Sequence, residues 1–342
     1  MRVIEGMRIL QTPTEISGQV GLTVKGLRAI GLESDSLASR HPYGYENDYY
    51  FNDSKSKIGK VIGRMGKIKM IKKNYDVIHY HFGESILPKN MDVNYFKKSG
   101  MKIFTEFWGS DVRISGIEKD RNPYYVNSHN KSDDVNIERM KRWSDFTEGV
   151  AIFSDHTFDD FLKPYFDKVH IVGQRVDIEK YLPVYPSREN SEPVVVHAPS
   201  NQAIKGTIHV EKAVQNLKKK GLHFKYVQVE KLSNTEAMEV YKTADIIIDQ
   251  LCIGAHGVFA CEAMALGKPV ICYILPEFLD KYPDGFPIIN ANPDTIEEVL
   301  EQWIQTPEER YQVGIQSRKY AERVHDIEVV ANKLHGVYQT KF

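Results

Sequence analysis

Cysteine is scarce in this 342-residue chain, and the three present, Cys252, Cys261 and Cys272, all lie in apolar stretches of the second half. An odd count without paired spacing excludes a disulfide framework and fits buried, reduced thiols. Charge of one sign is lacking too: 45 Lys and Arg stand against 46 Asp and Glu, so no global field favours nucleic acid, and no nucleic-acid partner is expected. No apolar run reaches the roughly 20 residues of a membrane span, and the opening Met1-Arg-Val-Ile-Glu-Gly6 is too short and charged for a signal peptide. A cytoplasmic protein is expected. Missing motifs narrow the chemistry. There is no Cys-x-x-Cys, no His-Glu-x-x-His and no Asp-x-Asp strand end to mark a metal, no Gly-x-Gly-x-x-Gly for a nicotinamide, and no Gly-x-Ser-x-Gly elbow for a serine nucleophile. Neither a metal nor a cofactor is expected.

What is present is a repeated alternation of strand-like and helix-like stretches. In the first half, Met7 to Leu10, Asp76 to Tyr80, Met101 to Thr105 and Gly149 to Phe153 read as strands, with a helix over Leu22 to Ile30. A polar stretch with three prolines, Tyr181 to Pro193, then reads as a hinge or linker. A second series follows: Val194 to Ala198, Phe224 to Gln228, Ile246 to Asp249, Val270 to Ile274 and Pro287 to Ile289. With 42% hydrophobic residues the chain can fill two cores. The pattern predicts an α/β protein of two open, mostly parallel sheets, whose ligands would sit at the carboxyl ends of the strands.

The most informative stretch runs from Ala244 to Tyr273. The buried strand Ile246 to Ile248 feeds a loop with Gly254 and Gly257, which opens into a helical segment, Val258 to Leu266, ended by Gly267. Amides at such a helix start suit a phosphate or a sugar hydroxyl, and Glu262, a turn further in, suits a ribose diol. Glu262-Ala-Met-Ala-Leu-Gly-Lys-Pro-Val270 resembles the signature of retaining GT-B glycosyltransferases of family 4. The resemblance implies that Glu262 holds the ribose, with Gly257 and Val258 at the donor. The first glutamate of the family's pair falls on Gly254, so the half of the motif that holds the donor sugar is altered.

Other segments are similar to the same family. In His197 to Ile208, Lys205 matches the lysine that grips the donor diphosphate, while Ser200 stands where an arginine is usual; Ser200 and Asn201 are placed with the donor. Gly18 and Gly21 follow the first strand, where the family has a glycine-rich loop near the donor phosphates. His81, in Ile78-His-Tyr-His-Phe82, is favoured over His79 as the cleft-facing histidine. Thr105 to Arg113 resembles a stretch whose usual histidine is Trp108 here, suited to stacking on a sugar; Asp111 is either catalytic or a structural partner of Arg113. Asp177 matches the turn ending the first domain. His256, inside the glycine loop, either touches a sugar hydroxyl or faces solvent.

The resemblance implies a GT-B fold, two Rossmann-like doubly wound domains facing a central cleft with a C-terminal helix crossing back to the first. The expected division is an acceptor-binding domain at 1–182, a nucleotide-sugar domain at 193–318 and a terminal helix at 319–342. It further implies a metal-independent, retaining transfer of a sugar, from a UDP-sugar in preference, to a hydroxyl acceptor that is a carbohydrate or is lipid-linked, in polysaccharide or glycoconjugate synthesis. Lys205, His81 and Asp111 form the expected catalytic set. A nucleotide-sugar-binding partner subunit or a sugar-nucleotide epimerase are the alternatives. Lys55 to Lys73 carries eight basic residues and no acid; its apolar residues at helical spacing are expected to pack on the sheet, with peripheral contact to the inner membrane face as the minority reading.

Overall fold

The computed structural model describes residues 6–40, 44–51, 54, 56–127, 132–230, 232 and 234–341. The chain forms two compact units, one of Met1–Ile114, Lys131–Arg175 and Ile327–Phe342, the other of Ser115–Asn130 and Val176–Asp326.

Among the described residues, the first unit is built on seven parallel strands: β1 (Arg8–Thr12), β2 (Glu33–Ala38), β3 (Tyr49–Tyr50), β4 (Val77–His81), β5 (Lys102–Phe107), β6 (Val150–Phe153) and β7 (Lys168–Ile171). Their order is β3-β2-β1-β4-β5-β6-β7, so the winding reverses between β1 and β4 and leaves a crevice at the carboxyl ends of that pair. β4 is buried at every position and β5 at all but its first, as expected of strands covered on both faces. The C-terminal helix Ile327–Gln339 returns to this unit and lies against the helix Gln19–Ala29. The approach is close: a Cβ on Gly26 would stand 2.4 Å from the Ile327 carbonyl oxygen, so only glycine fits there. Val330, Leu334 and Tyr338 of the terminal helix join Ile9, Leu27 and Phe104 in one apolar core.

Among its described residues the second unit has five parallel strands, β8 (Val194–His197), β9 (Lys225–Gln228), β10 (Ile246–Ile248), β11 (Val270–Cys272) and β12 (Ile289–Asn290), in the order β12-β11-β10-β8-β9. Here the reversal falls between β8 and β10. Three boundaries differ from expectation. The proline-bearing stretch packs within the second unit, where Val184 N–H donates to the Leu266 carbonyl at 2.9 Å. Ser115–Asn130, from the expected first domain, belongs to the second unit, and buried Asn122 donates to the Cys252 carbonyl at 3.0 Å. The terminal segment of the first unit begins at Ile327 rather than 319, because the helix Pro307–Val324 stays with the second unit and stops at His325.

The basic helix spans Lys57–Asn74, with Lys55 outside the described residues. Only part of its apolar content turns inward: Ile71 is fully buried, while Ile58, Ile62 and Met65 are 75%, 65% and 53% exposed. The stripe expected to pack on the sheet is therefore two faces, one inward and one outward. Among the described residues no helix is long and apolar enough to cross a membrane.

Candidate active-site residues of the two units

In the second unit, the loops that leave β8 and β10 meet at the reversal. After β8, Asn201 caps the short helix Gln202–Lys205 by accepting the Ile204 N–H at 3.2 Å, and Ser200 is exposed beside it. Lys205 is buried, and its ammonium donates to Asp249, the residue that follows β10. The other Asp249 oxygen accepts the Gly257 N–H at 3.2 Å. One carboxylate thus holds a cation and the start of the helix Val258–Ala265 together. A Cβ built on Gly257 would stand 3.6 Å from Asp249 Oδ2 and 3.9 Å from Lys205 Nζ, so the ammonium sits next to that helix start. The amides of Val258 and Phe259, on the first turn, have no acceptor four residues back inside the helix. His197 ties the two strands: Nδ1–H donates to the Ile248 carbonyl at 3.0 Å, which leaves Nε2 to accept from the Thr207 hydroxyl at 2.9 Å. Burial pushes its pKa down to about 4, so the ring is neutral.

Glu262, on the same helix, accepts a hydrogen bond from the Tyr181 hydroxyl at 2.9 Å. Burial, against the pull of that bond, raises its pKa to about 7, and the negative charge of Asp249 adds to the rise. The site therefore combines a buried cation, helix-start amides and a carboxyl poised near neutrality.

In the first unit, the carboxyl ends of β4 and β5 carry a buried charge cluster. Arg175 grips Glu106 with both arms, Nη1 to Oε1 at 2.5 Å and Nη2 to Oε2 at 2.8 Å, and both residues are buried. Two stacked imidazoles, His79 and His81, lie beside that carboxylate, with centroids 4.6 Å apart. Glu106 Oε2 is 3.6 Å from His79 and 3.7 Å from His81. Burial first, and the Arg175 charge among the remaining influences, hold both histidines well below their ordinary pKa, so they are neutral. His81 is fully enclosed and bonded to Gln11 at 2.8 Å, which corrects its expected cleft-facing placement. Trp108 lies under the Arg175 guanidinium at 5.1 Å and stacks with His81 at 5.9 Å, so within this unit its ring is part of the cluster rather than a bare platform.

Asp111 is also placed differently from expectation. Its carboxylate caps its own loop, accepting from the Trp108 N–H at 3.0 Å and the Gly109 N–H at 2.8 Å, and burial raises its pKa to about 6. It shapes the turn that carries Trp108. Gly18, in the left-handed region with φ +80°, precedes the helix Gln19–Ala29, and Gly21 lies in it. Their expected phosphate contact meets an internal competitor: buried Glu15 accepts the Val20 N–H at 3.2 Å, the Gly21 N–H at 3.3 Å and the Asn47 amide at 3.1 Å. A carboxylate already fills the helix start.

Residues 192–320 match the family model of glycosyl transferases group 1. No curated protein matches the chain. Among solved structures it is similar to a sucrose-phosphate synthase from Thermosynechococcus elongatus, with TM-score 0.69 and 12% identity over 98% of this chain and 99% of that one. A glycosyltransferase from Rickettsia africae gives TM-score 0.66 and 14% identity over 98% of each chain. Anabaena HepE, solved in complex with UDP and glucose, gives TM-score 0.62 and 10% identity over 98% of this chain and 100% of that one. At such identities the likeness is one of fold, and the fold is GT-B.

Within residues 192–320, two departures from the family pattern have physical explanations. Gly254 is left-handed, with φ +78°, and a Cβ there would stand 2.5 Å from Leu275 Cγ, so this backbone path has no room for the usual glutamate. His256 is buried against the rings of Tyr282 and Phe286, at 5.4 and 5.7 Å, and does not face solvent. Sequence reasoning missed Asp249, Glu15 and the Arg175–Glu106 pair. A signal existed for Asp249, a carboxylate at the carboxyl end of a buried strand, but its partner Lys205 lies 44 positions away.

Proposed function

We propose that the chain is a glycosyltransferase that moves a sugar from a nucleotide donor, preferentially a UDP-sugar, to a hydroxyl acceptor with retention of the anomeric configuration. One observation carries the reading: Lys205, steered by Asp249, stands beside the open amides that begin the Glu262 helix. A diphosphate at that helix start would meet its dipole and its free N–H groups, and Lys205 would neutralise the charge that develops as the sugar departs. Glu262, in its ionised form, would accept the two ribose hydroxyls. No protein nucleophile is assigned, so rate comes from positioning and charge stabilisation.

The acceptor reading is an anionic, lipid-linked carbohydrate met at a membrane surface. Support comes from the outward face of the helix Lys57–Asn74, where Ile58, Ile62 and Met65 lie exposed among lysines. Beside it a cavity of about 510 Å³ is lined by Lys57, Lys60, Arg64, Lys89, Arg139 and Arg142, together with Glu84. Incubation of the purified chain with UDP-sugars and a lipid-phosphate-linked glycan tests the reading, with the product anomer determined by NMR. Transfer with retention is expected; donor binding without transfer or hydrolysis would make the chain a binding subunit, and conversion of the donor sugar without acceptor would make it an epimerase. Sedimentation with anionic vesicles, lost on replacing Ile58, Ile62 and Met65 by serine, tests the membrane contact.

A further inference from the structure

Three side chains of the second unit converge without serving the donor site. Cys261 Sγ lies 3.6 Å from His256 Nδ1 and 3.7 Å from His325 Nε2. The three candidate ligand atoms all fall within 4.8 Å of one another, and all three residues are buried. They arrive from separate places: His256 from the loop before the helix Val258–Ala265, Cys261 from that helix, and His325 from the end of the helix Pro307–Val324. Aromatic rings enclose them, with Tyr282 5.4 Å and Phe286 5.7 Å from His256, and Tyr320 5.7 Å from His325.

We propose that His256, Cys261 and His325 bind a zinc ion. Zinc takes a thiolate at about 2.3 Å and an imidazole nitrogen at about 2.0–2.1 Å, and a tetrahedral angle between them sets sulfur and nitrogen about 3.5 Å apart. Both observed sulfur–nitrogen separations lie close to that value. The donor set, one thiolate and two imidazoles, selects a borderline-soft ion over magnesium or calcium. On binding, the Cys261 thiol loses its proton to solvent as the zinc–sulfur bond forms, and both rings bind in their neutral form. Water completes the fourth position. The other convergent trio, His79, His81 and Glu106, is a poorer host, because Arg175 already occupies both Glu106 oxygens and its charge opposes a dication.

The ion would be structural. It would fasten the loop that ends in Gly257 to the helix that carries Glu262. It would also fasten that loop to His325, whose carbonyl accepts the Val176 N–H at 2.7 Å where the chain enters and leaves the unit. This role is independent of any transfer reaction, and its test needs no substrate.

The full chain, freed of metal by a chelator, is titrated with Co²⁺ as an optical probe. One equivalent is expected to produce a thiolate-to-cobalt charge-transfer band in the near ultraviolet together with visible bands of tetrahedral strength, and zinc is expected to displace both. Cys261→Ala should remove the charge-transfer band, whereas Cys252→Ala and Cys272→Ala should leave it. His256→Phe, which keeps a ring in the aromatic enclosure, should abolish tight binding in a chain whose circular dichroism is unchanged. Absence of stoichiometric binding by the native chain would overturn the proposal and leave a hydrogen-bonded trio only. A charge-transfer band that survives Cys261→Ala, or Cys261→Ser should the alanine variant not fold, would overturn it equally.

Discussion

Replacing Lys205 by methionine keeps most of the side-chain volume, removes the ammonium, and leaves Asp249 buried with the Gly257 N–H as its remaining partner in the site. Removing one partner of a buried ion pair typically costs about 3–5 kcal/mol. The second unit should then melt roughly 10 °C lower by calorimetry. Asp249→Asn in the same chain removes the stranded charge and should restore most of that loss. Turnover behaves differently. If Lys205 neutralises a departing diphosphate, its removal costs about 3 kcal/mol of barrier, or about two orders of magnitude in kcat. The double variant should therefore be stable and still slow. Recovery of turnover together with stability would refute the catalytic role and make Lys205 a purely structural partner of Asp249.

Further outcomes follow from the same geometry. Under the proposed ribose-binding role of ionised Glu262, whose pKa is raised to about 7, donor affinity should fall as pH drops through 7, approaching about tenfold per unit in the acid limit; Glu262→Gln should bind weakly with a flat profile, and calorimetric titration across pH 5.5 to 8.5 decides. Gly254→Glu, which rebuilds the family's usual residue, should destabilise by about 3 kcal/mol through the left-handed backbone and the Leu275 contact, and a denaturant midpoint unchanged from the native chain would contradict that account. Arg175→Met should cost about 3–5 kcal/mol by stranding Glu106 among neutral histidines, with Glu106→Gln as the rescuing change, measured by urea unfolding.

The strands most legible in the sequence include those whose side chains are apolar on both faces. Ile246–Ile248 and Val270–Cys272 are fully buried and read as strands at once. Glu33–Ala38 did not, because polar residues interrupt its apolar pattern, and tertiary partners hold two of them: Asp48 accepts the Ser36 hydroxyl at 3.2 Å, and Asp35 accepts from the Arg28 guanidinium at 2.8 Å. Prolines pointed to a domain junction near 183–193, whereas the chain passes between units at Arg175–Val176 and Asp326–Ile327. The reason is local: Tyr185 and Pro183 pack on Gly267, which holds the proline stretch to the second unit. Lys205 and Glu262 stood out through motif spacing. Their partners Asp249 and Tyr181 did not, since 44 and 81 positions separate each pair and only the fold joins them. Periodicity marked the helix Lys57–Asn74 as amphipathic but could not choose which apolar face turns inward, because Ile58, Ile62 and Met65 are spaced as regularly as the residues that pack.

The central claim is that a nucleotide-sugar docks where β10 gives way to the Glu262 helix. A crystal structure of the chain with a UDP-sugar tests it most directly. The expected result is a diphosphate within hydrogen-bonding distance of Lys205 Nζ and the Val258 amide, with the ribose hydroxyls on Glu262. A nucleotide bound at any other surface, with Lys205 still locked on Asp249 and the helix start empty, would contradict it.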